Sequence, residues 1–97
     1  MKTSELSDAT LDWAVGKCIG LSHALHGRVP YSTDWAHGGP IIERAKIELI
    51  PKGSYWDAFF APDDHIPYEG ETLLIAAMRA FVASKLGDEV EIPESMR

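Results

Sequence analysis

The sequence predicts an α+β fold, in which two main helices pack on a small antiparallel sheet of two to three strands. Residues 8–19 repeat apolar side chains at helical spacing, and residues 73–86 form a long apolar run bounded by capping residues. Residues 46–50 alternate polar and apolar side chains, and a turn leads from them into a second apolar segment, which is typical of a hairpin. With 97 residues, the chain is expected to form one domain over residues 1–97.

The first helix is predicted over residues 8–19. Ser7 is a good N-cap, and the negative charge of Asp8 suits the positive end of the helix dipole. Gly20 can end the helix in the left-handed conformation. The stripe of apolar residues at helical spacing consists of Leu11, Ala14, Val15, Cys18 and Ile19. Because Cys18 is the single cysteine of the chain and lies on this stripe, it is predicted to be a small core residue.

Residues 20–40 are expected to be a long irregular segment, because four glycines and two prolines fall within them. A loop of this length in a small domain is usually functional or disordered, and its aromatic residues favour an ordered one. Residues 39–43 are then predicted as a short helical turn with Pro40 at the first helical position.

The hairpin is predicted from strands at residues 46–50 and 55–60, joined by a turn at residues 51–54. Residues 61–71 are expected to be a second loop, since two prolines and a glycine interrupt them. Residues 90–92 alternate again and are the candidate for a short third strand.

The last helix is predicted to begin after Thr72 as its N-cap and to end at Gly87. It is apolar on nearly all sides, so it is buried either inside the domain or in the interface of a homo-oligomer. Arg79 lies in its middle, and a guanidinium is costly to bury without a partner. Arg79 is therefore expected to reach water, to pair with a carboxylate such as Asp34 or Asp57, or to contact a ligand.

The net charge of −6 disfavours direct binding of nucleic acid or of an anionic membrane, because both need a basic surface. A small anionic ligand held by a few local donors remains compatible with it. The sequence has no apolar run of membrane-spanning length and no signal-peptide core at its start. With a single cysteine, the expected location is a reducing cytoplasm.

The segment of residues 31–44 carries the densest side-chain chemistry of the chain. Its aromatic residues can stack on a flat group such as a nucleobase, whereas Trp56 is more typical of a core residue. Gly38 and Gly39 before Pro40 can present free backbone N–H groups to an anion, or they can serve only a tight turn. With two arginines added as phosphate donors, the candidate ligand-binding residues are Tyr31, Ser32, Thr33, Asp34, Trp35, Gly38, Gly39, Arg44 and Arg79.

Catalytic and metal sites have weaker support. The four histidines, together with Asp63 and Asp64, invite a metal interpretation, but their spacing matches no established zinc pattern. The sequence also lacks a nucleophile elbow and an obvious carboxylate pair for acid–base catalysis. No catalytic residue, metal or cofactor is predicted, and an enzymatic activity is not expected.

Three segments together resemble a known family. They are residues 11–15 (LDWAV), 31–44 (YSTDWAHGGPIIER) and 74–90 (LIAAMRAFVASKLGDEV). This pattern resembles the NinX-like family of small proteins from lambdoid phages and enterobacterial prophages. The resemblance covers nearly the whole chain and is weakest at residues 22–29 and 61–70. It implies a phage-encoded accessory protein in a bacterial cytoplasm, and it implies no reaction and no catalytic residue.

Two functions follow as hypotheses. The first is a non-enzymatic binder that sequesters a small nucleotide-type ligand, such as a host-defence signal, by stacking on its base and donating hydrogen bonds to its phosphate. The alternative is a protein-interaction module that inhibits or redirects a host protein through an acidic surface. That surface would include Asp63, Asp64 and residues 88–91.

Overall fold

The computed structural model describes residues 1–21, 26–60 and 67–96, and within them it confirms the α+β class. The helices are α1 (Asp8–Cys18), α2 (Trp35–Ala45) and α3 (Leu73–Leu86). The strands are β1 (Ile47–Pro51), β2 (Trp56–Phe60) and β3 (Tyr68–Gly70). Short 3-10 turns lie at Thr3–Glu5 and Glu94–Met96. The prediction of two main helices is therefore incomplete, because α2 is a third.

The three strands form one antiparallel sheet in the order β1-β2-β3. Leu49 lies opposite Ala58, and Ala58 lies opposite Tyr68, so β2 is the central strand. Helix α3 packs on the face of the sheet that carries Ala58, which is fully buried. At Gly70 the sheet and the helix approach so closely that a β-carbon would collide with the backbone of Ala76. A glycine is therefore required at this end of β3.

Helix α3 is the centre of the domain. It contacts α1, α2 and all three strands, which accounts for its apolar character on nearly all sides. Its buried residues are Leu74, Ala76, Ala77, Met78, Ala80, Phe81 and Val82. The packing of α3 within one copy of the chain is thus sufficient to explain its composition, and the homo-oligomer suggested by that composition stays a prediction.

Local signals placed the ends of α1 and α3 well. Ser7 is the N-cap of α1, and Gly20 beyond its C-terminus has a φ of 77°. The hydroxyl of Thr72 accepts a hydrogen bond from the Ile75 N–H at 3.1 Å, and Gly87 is the C-cap of α3 with a φ of 85°. Both helices therefore begin and end where capping side chains and glycines predict, within a residue or so.

The prediction of an irregular segment up to residue 40 is wrong for its last six residues, because α2 begins at Trp35. Asp34 is its N-cap, and its carboxylate accepts a hydrogen bond from the Ala36 N–H at 2.9 Å. Pro40 therefore lies inside the helix and not at its first position. Lys46, predicted as the first residue of the strand, is instead the left-handed C-cap with a φ of 57°.

The third strand was predicted at residues 90–92, but the structure places β3 at Tyr68–Gly70, inside a segment expected to be a loop. Val90 and Ile92 are buried without belonging to a strand. This end of the chain pairs with the start instead, since Lys2 and Glu89 form an isolated bridge. The side chains of Val90 and Ile92 belong to the hydrophobic core, and the Val90 N–H donates to the carbonyl of Met1 at 2.8 Å.

Along the part of the chain that the structure describes, no helix is both long enough and apolar enough to cross a membrane.

Candidate functional site

Helix α2 is held close to the rest of the domain through Gly38. A β-carbon at this position would collide with the carbonyl oxygen of Tyr31 and would lie 2.6 Å from Cδ2 of Leu74 in α3. Gly38 and Ile41 are the buried residues of α2, and the opposite side of the helix faces solvent. The predicted site segment therefore presents its exposed residues from a rigid helix and not from a loop.

Trp35, the first residue of α2, is the most exposed large aromatic side chain at this site. It is 56% exposed. Its ring extends along the helix to Gly39, where a β-carbon would lie 3.3 Å from Cε3 of the ring. Gly39 thus gives the indole room to lie on the helix surface while much of the ring remains open to solvent. Two of the predicted site residues are in this way brought together.

An open depression runs over this surface of α2, with a volume of about 770 Å³. Trp35 and Gly39 form one side of it, and Arg44 and Lys46 supply positive charge. Its lining is completed by Pro40 and Glu43. Arg44, a predicted site residue, therefore shares one surface with the exposed indole.

A second, smaller cleft of about 300 Å³ lies where α1, α2 and α3 meet. It has an apolar floor and two cations, and its lining residues are Cys18, Ile19, Ile41, Arg44, Ala45, Phe81 and Lys85. Arg44 borders this cleft as well as the open depression. Burial raises the pKa of the Cys18 thiol to about 11, although the charges of Lys85 and Lys17 oppose the shift. The thiol is therefore neutral at physiological pH.

Tyr31 and Ser32 lie below the surface and are not available to a ligand in this conformation. They are 6% and 1% exposed, and Tyr31 belongs to the hydrophobic core. The Ser32 N–H donates a 2.8 Å hydrogen bond to Oδ1 of Asp12 in α1. Burial raises the pKa of Asp12, and hydrogen bonding from Ser32 opposes that rise. Burial, together with the charge of Asp12, also raises the pKa of Tyr31. These two residues anchor the start of the segment to α1.

Asp34 and His37 form an exposed pair at the start of α2. Nδ1 of His37 lies 3.2 Å from Oδ2 of Asp34, and its ring meets the ring of Tyr31 edge to face with 6.2 Å between centroids. The Gly38 N–H donates to the Asp34 carbonyl at 2.9 Å. The expectation that Gly38 presents a free N–H to an anion is therefore wrong. Thr33 is exposed beside this cap.

Arg79 lies apart from the depression and pairs with neither Asp34 nor Asp57. Its Nε donates to the carbonyl of Leu6 at 2.8 Å, and a terminal nitrogen donates to the carbonyl of Glu69 at 2.7 Å. Burial lowers the pKa of Arg79, and the charge of Glu71 opposes that change. The guanidinium thus links the N-terminal segment to β3, and these two hydrogen bonds give Arg79 a structural role.

The other residues singled out from the sequence are Trp56, the histidines and the Asp63–Asp64 pair. Trp56 packs, half-buried, against the core as expected. His23, His65 and the Asp63–Asp64 pair lie outside the described residues. Among residues 1–21, 26–60 and 67–96, no group of three or more histidine, cysteine or acidic side chains is arranged to hold a metal ion.

The sequence does not indicate that Lys46 borders the open depression or that Phe81 and Lys85 border the cleft. The sequence predicts only a buried helix for Phe81 and Lys85 and only a strand for Lys46. Lys85 is far from Arg44 in the chain, and only the packing of α3 on α2 brings both side chains to one cleft. The alternation of polar and apolar residues could not have signalled this pairing, because it reports local structure alone.

The chain matches the model of a known protein family. The family model described as Bacteriophage P22, NinX matches residues 27–85, which is more than half of the chain. This range contains α2, the sheet and nearly all of α3. A search of the curated proteins finds no match to the chain.

Proposed function

Since the chain belongs to the bacteriophage P22 NinX family, we propose that it is a phage accessory protein that binds and sequesters a small nucleotide-type ligand in the host cell. The proposed site is the open depression on α2. Its ligand has a flat group that stacks on Trp35 and an anionic group that meets Arg44. A host-defence nucleotide signal is such a ligand, because a phage benefits when the signal is kept from its host receptor.

One observation carries the proposal: the indole of Trp35 lies beside Gly39 and is more than half exposed. Leaving a tryptophan ring in water forgoes the hydrophobic stabilisation that burial would give it. A nucleobase stacked on the ring would recover part of that free energy, and base stacking on an aromatic side chain contributes about 1–3 kcal/mol.

The charges along the depression suit the second half of such a ligand. Arg44 is nine residues beyond Trp35, which corresponds to about 14 Å of helix. Long side chains on a helix point back toward its N-terminus, whereas the indole reaches forward to Gly39. Nine residues are about two and a half helical turns, so Trp35 and Arg44 leave α2 on different sides and border the depression from opposite edges. Arg44 and Lys46 offer donors to a phosphate and outnumber the one carboxylate of the depression, that of Glu43, although the protein as a whole has a net charge of −6.

Sequestration requires fewer functional groups than catalysis, because the protein has only to bind the ligand. A bound nucleotide is withdrawn from its host receptor when the phage protein is abundant and its dissociation constant lies below the signal concentration. A base platform, a few charge-assisted hydrogen bonds and a stable scaffold meet that requirement.

The test is a titration of the purified protein with AMP as the probe, followed by tryptophan fluorescence and by calorimetry. Binding should quench the fluorescence of Trp35, and Trp35→Ala should lose about fivefold or more in affinity, by the magnitude of stacking given above. Tyr55→Ala is the matched control, since Tyr55 is also a partly exposed aromatic residue but lies outside the depression.

Arg44→Gln should weaken AMP binding as well, and the loss should shrink at high salt because screening already reduces the contribution of an exposed charge. If AMP, GMP, CMP and UMP all fail to bind, or if Trp35→Ala binds as the wild type does, the proposed site is wrong.

A further inference from the structure

The cleft between α1, α2 and α3 lies next to the proposed site and has a different character. Its floor consists of apolar side chains, including the buried Ile41 and Phe81. Its volume of about 300 Å³ is at the lower end of the range for small-molecule sites. An apolar floor with a small number of polar groups at the rim is the usual composition of such a site.

The charges at the rim are of one sign. Arg44 and Lys85 border the cleft, and Lys17 is near enough to act on the Cys18 thiol. None of the described residues that line the cleft carries a carboxylate, although acidic residues outnumber basic ones by 15 to 9 in the chain. A neutral thiol adds no negative charge. The cleft therefore favours an anion that also has an apolar or flat part.

Arg44 lines both this cleft and the open depression. A ligand that occupies both passes the guanidinium of Arg44, which can hold a phosphate through two parallel hydrogen bonds. One flat group then lies on Trp35, and the group on the other side of the phosphate lies over Phe81.

We propose that the ligand of this site is a dinucleotide-type anion, with its first base on Trp35, its phosphate linkage at Arg44 and its second base in the cleft beside Lys85. This inference rests on the proposed function, which requires only the first base and a phosphate. It adds a second binding element that a mononucleotide leaves empty.

The test compares AMP with adenylyl-adenosine, in which a single phosphodiester joins two adenosines. AMP carries about two negative charges above neutral pH, whereas the dinucleotide carries one. Tighter binding of the dinucleotide therefore cannot come from its charge. The expected result is an affinity at least tenfold higher for adenylyl-adenosine than for AMP in calorimetric titrations of the full chain.

Ala45→Leu is the variant that separates the two parts of the site. Ala45 lines the cleft and does not line the open depression, so a larger side chain there should remove most of the tenfold preference and leave AMP binding unchanged. Ala36→Leu is the matched control, because it makes the same substitution at an exposed position of α2 outside the cleft.

Lys85→Glu is a second variant, at an exposed position in the last turn of α3. It should lower the affinity for adenylyl-adenosine more than that for AMP. Equal affinity for the two probes, or a preference that survives both Ala45→Leu and Lys85→Glu, would overturn the dinucleotide inference while AMP binding still supports the proposed function. Failure of adenylyl-adenosine and of all four mononucleotides to bind would instead contradict the proposed function itself.

Discussion

The neighbouring glycines of α2, Gly38 and Gly39, are needed for different structural reasons. Gly38 faces the domain, where only a hydrogen atom fits between the helix, the Tyr31 carbonyl and Leu74. Gly39 faces solvent, where its missing side chain makes room for the ring of Trp35. In the sequence, two adjacent glycines are typical of a turn, yet both lie within α2. Gly38 permits close packing of the helix, and Gly39 leaves room for the exposed ring of Trp35.

Gly38→Ala and Gly39→Ala should differ in stability. Overpacking at Gly38 should cost about 1–3 kcal/mol, even though alanine has the higher helix propensity. At Gly39 the new β-carbon meets only the edge of an exposed ring, so the free energy of unfolding should change by less than about 1 kcal/mol. Urea denaturation of both variants measures the difference. Equal destabilisation by the two substitutions would contradict the close approach at Gly38.

The buried carboxylate of Asp12 could not be predicted from the sequence, in which Asp12 lies between apolar residues of the first helix. Its carboxylate is buried and accepts the Ser32 N–H, which fixes the chain just before α2. Burial raises its pKa in the folded protein. The folded state therefore holds this proton to a higher pH than the unfolded chain does, and stability falls as the pH rises between the two pKa values.

Asp12→Asn should remove this dependence on pH. Asparagine does not titrate, and its Oδ1 can still accept the Ser32 N–H. Relative to the variant, the wild type should therefore lose stability as the pH rises from the ordinary pKa of aspartate through the raised one. Urea denaturation of both proteins over a pH series gives the difference, in which the other titrating groups largely cancel. A difference that is constant with pH, or that favours the wild type as the pH rises, would show that Asp12 is not desolvated.

At the scale of elements, the sequence predicted what local signals determine. The caps Ser7, Thr72 and Gly87 act on their own helix ends, and so α1 and α3 were located well. Helix α2 was mostly missed because two glycines and a proline weigh against a helix, although Asp34 is a good N-cap. Strand β3 was missed because it is only three residues long, and its pairing with β2 is not visible in its own composition.

Arg79 shows how one side chain can join several elements. It extends from α3 and binds the carbonyl of Leu6 in the N-terminal segment and that of Glu69 in β3. Both acceptors are backbone atoms, so no carboxylate in the sequence could have identified them. The prediction of a carboxylate partner considered only side chains, and the ligand contact proposed for Arg79 stays a prediction beside this structural part.

Arg79→Lys should destabilise the protein, because one ammonium group cannot reproduce two divergent hydrogen bonds from Nε and a terminal nitrogen. Losing a charge-assisted hydrogen bond to a partly buried carbonyl should cost about 1–3 kcal/mol. Arg28→Lys, at an exposed position, is the control. Thermal unfolding measures stability, and faster amide hydrogen exchange in β3 would locate the effect. If Arg79→Lys is as stable as the control, the two bonds do not hold these elements together.

At the scale of the whole molecule, the domain combines a negative net charge with a local group of cations. The net charge is −6, yet Arg44, Lys46 and Lys85 gather around one helix. The sequence identified Trp35, Gly39 and Arg44 as candidates, because exposed aromatic residues and arginines in one segment are typical of ligand sites. It could not identify the cleft, whose lining comes from three helices that only tertiary packing brings together.

The central claim is that this phage protein holds a nucleotide-type ligand on α2, and one measurement tests it most directly. The protein is purified from infected cells and analysed by native mass spectrometry, followed by heat release and identification of the small molecules. The account predicts a complex that releases an unmodified nucleotide, and a bare protein when Trp35→Ala is purified in the same way. A wild-type protein that carries no small molecule, and that takes up none from a panel of nucleotides, would contradict the account and favour an interaction with a host protein.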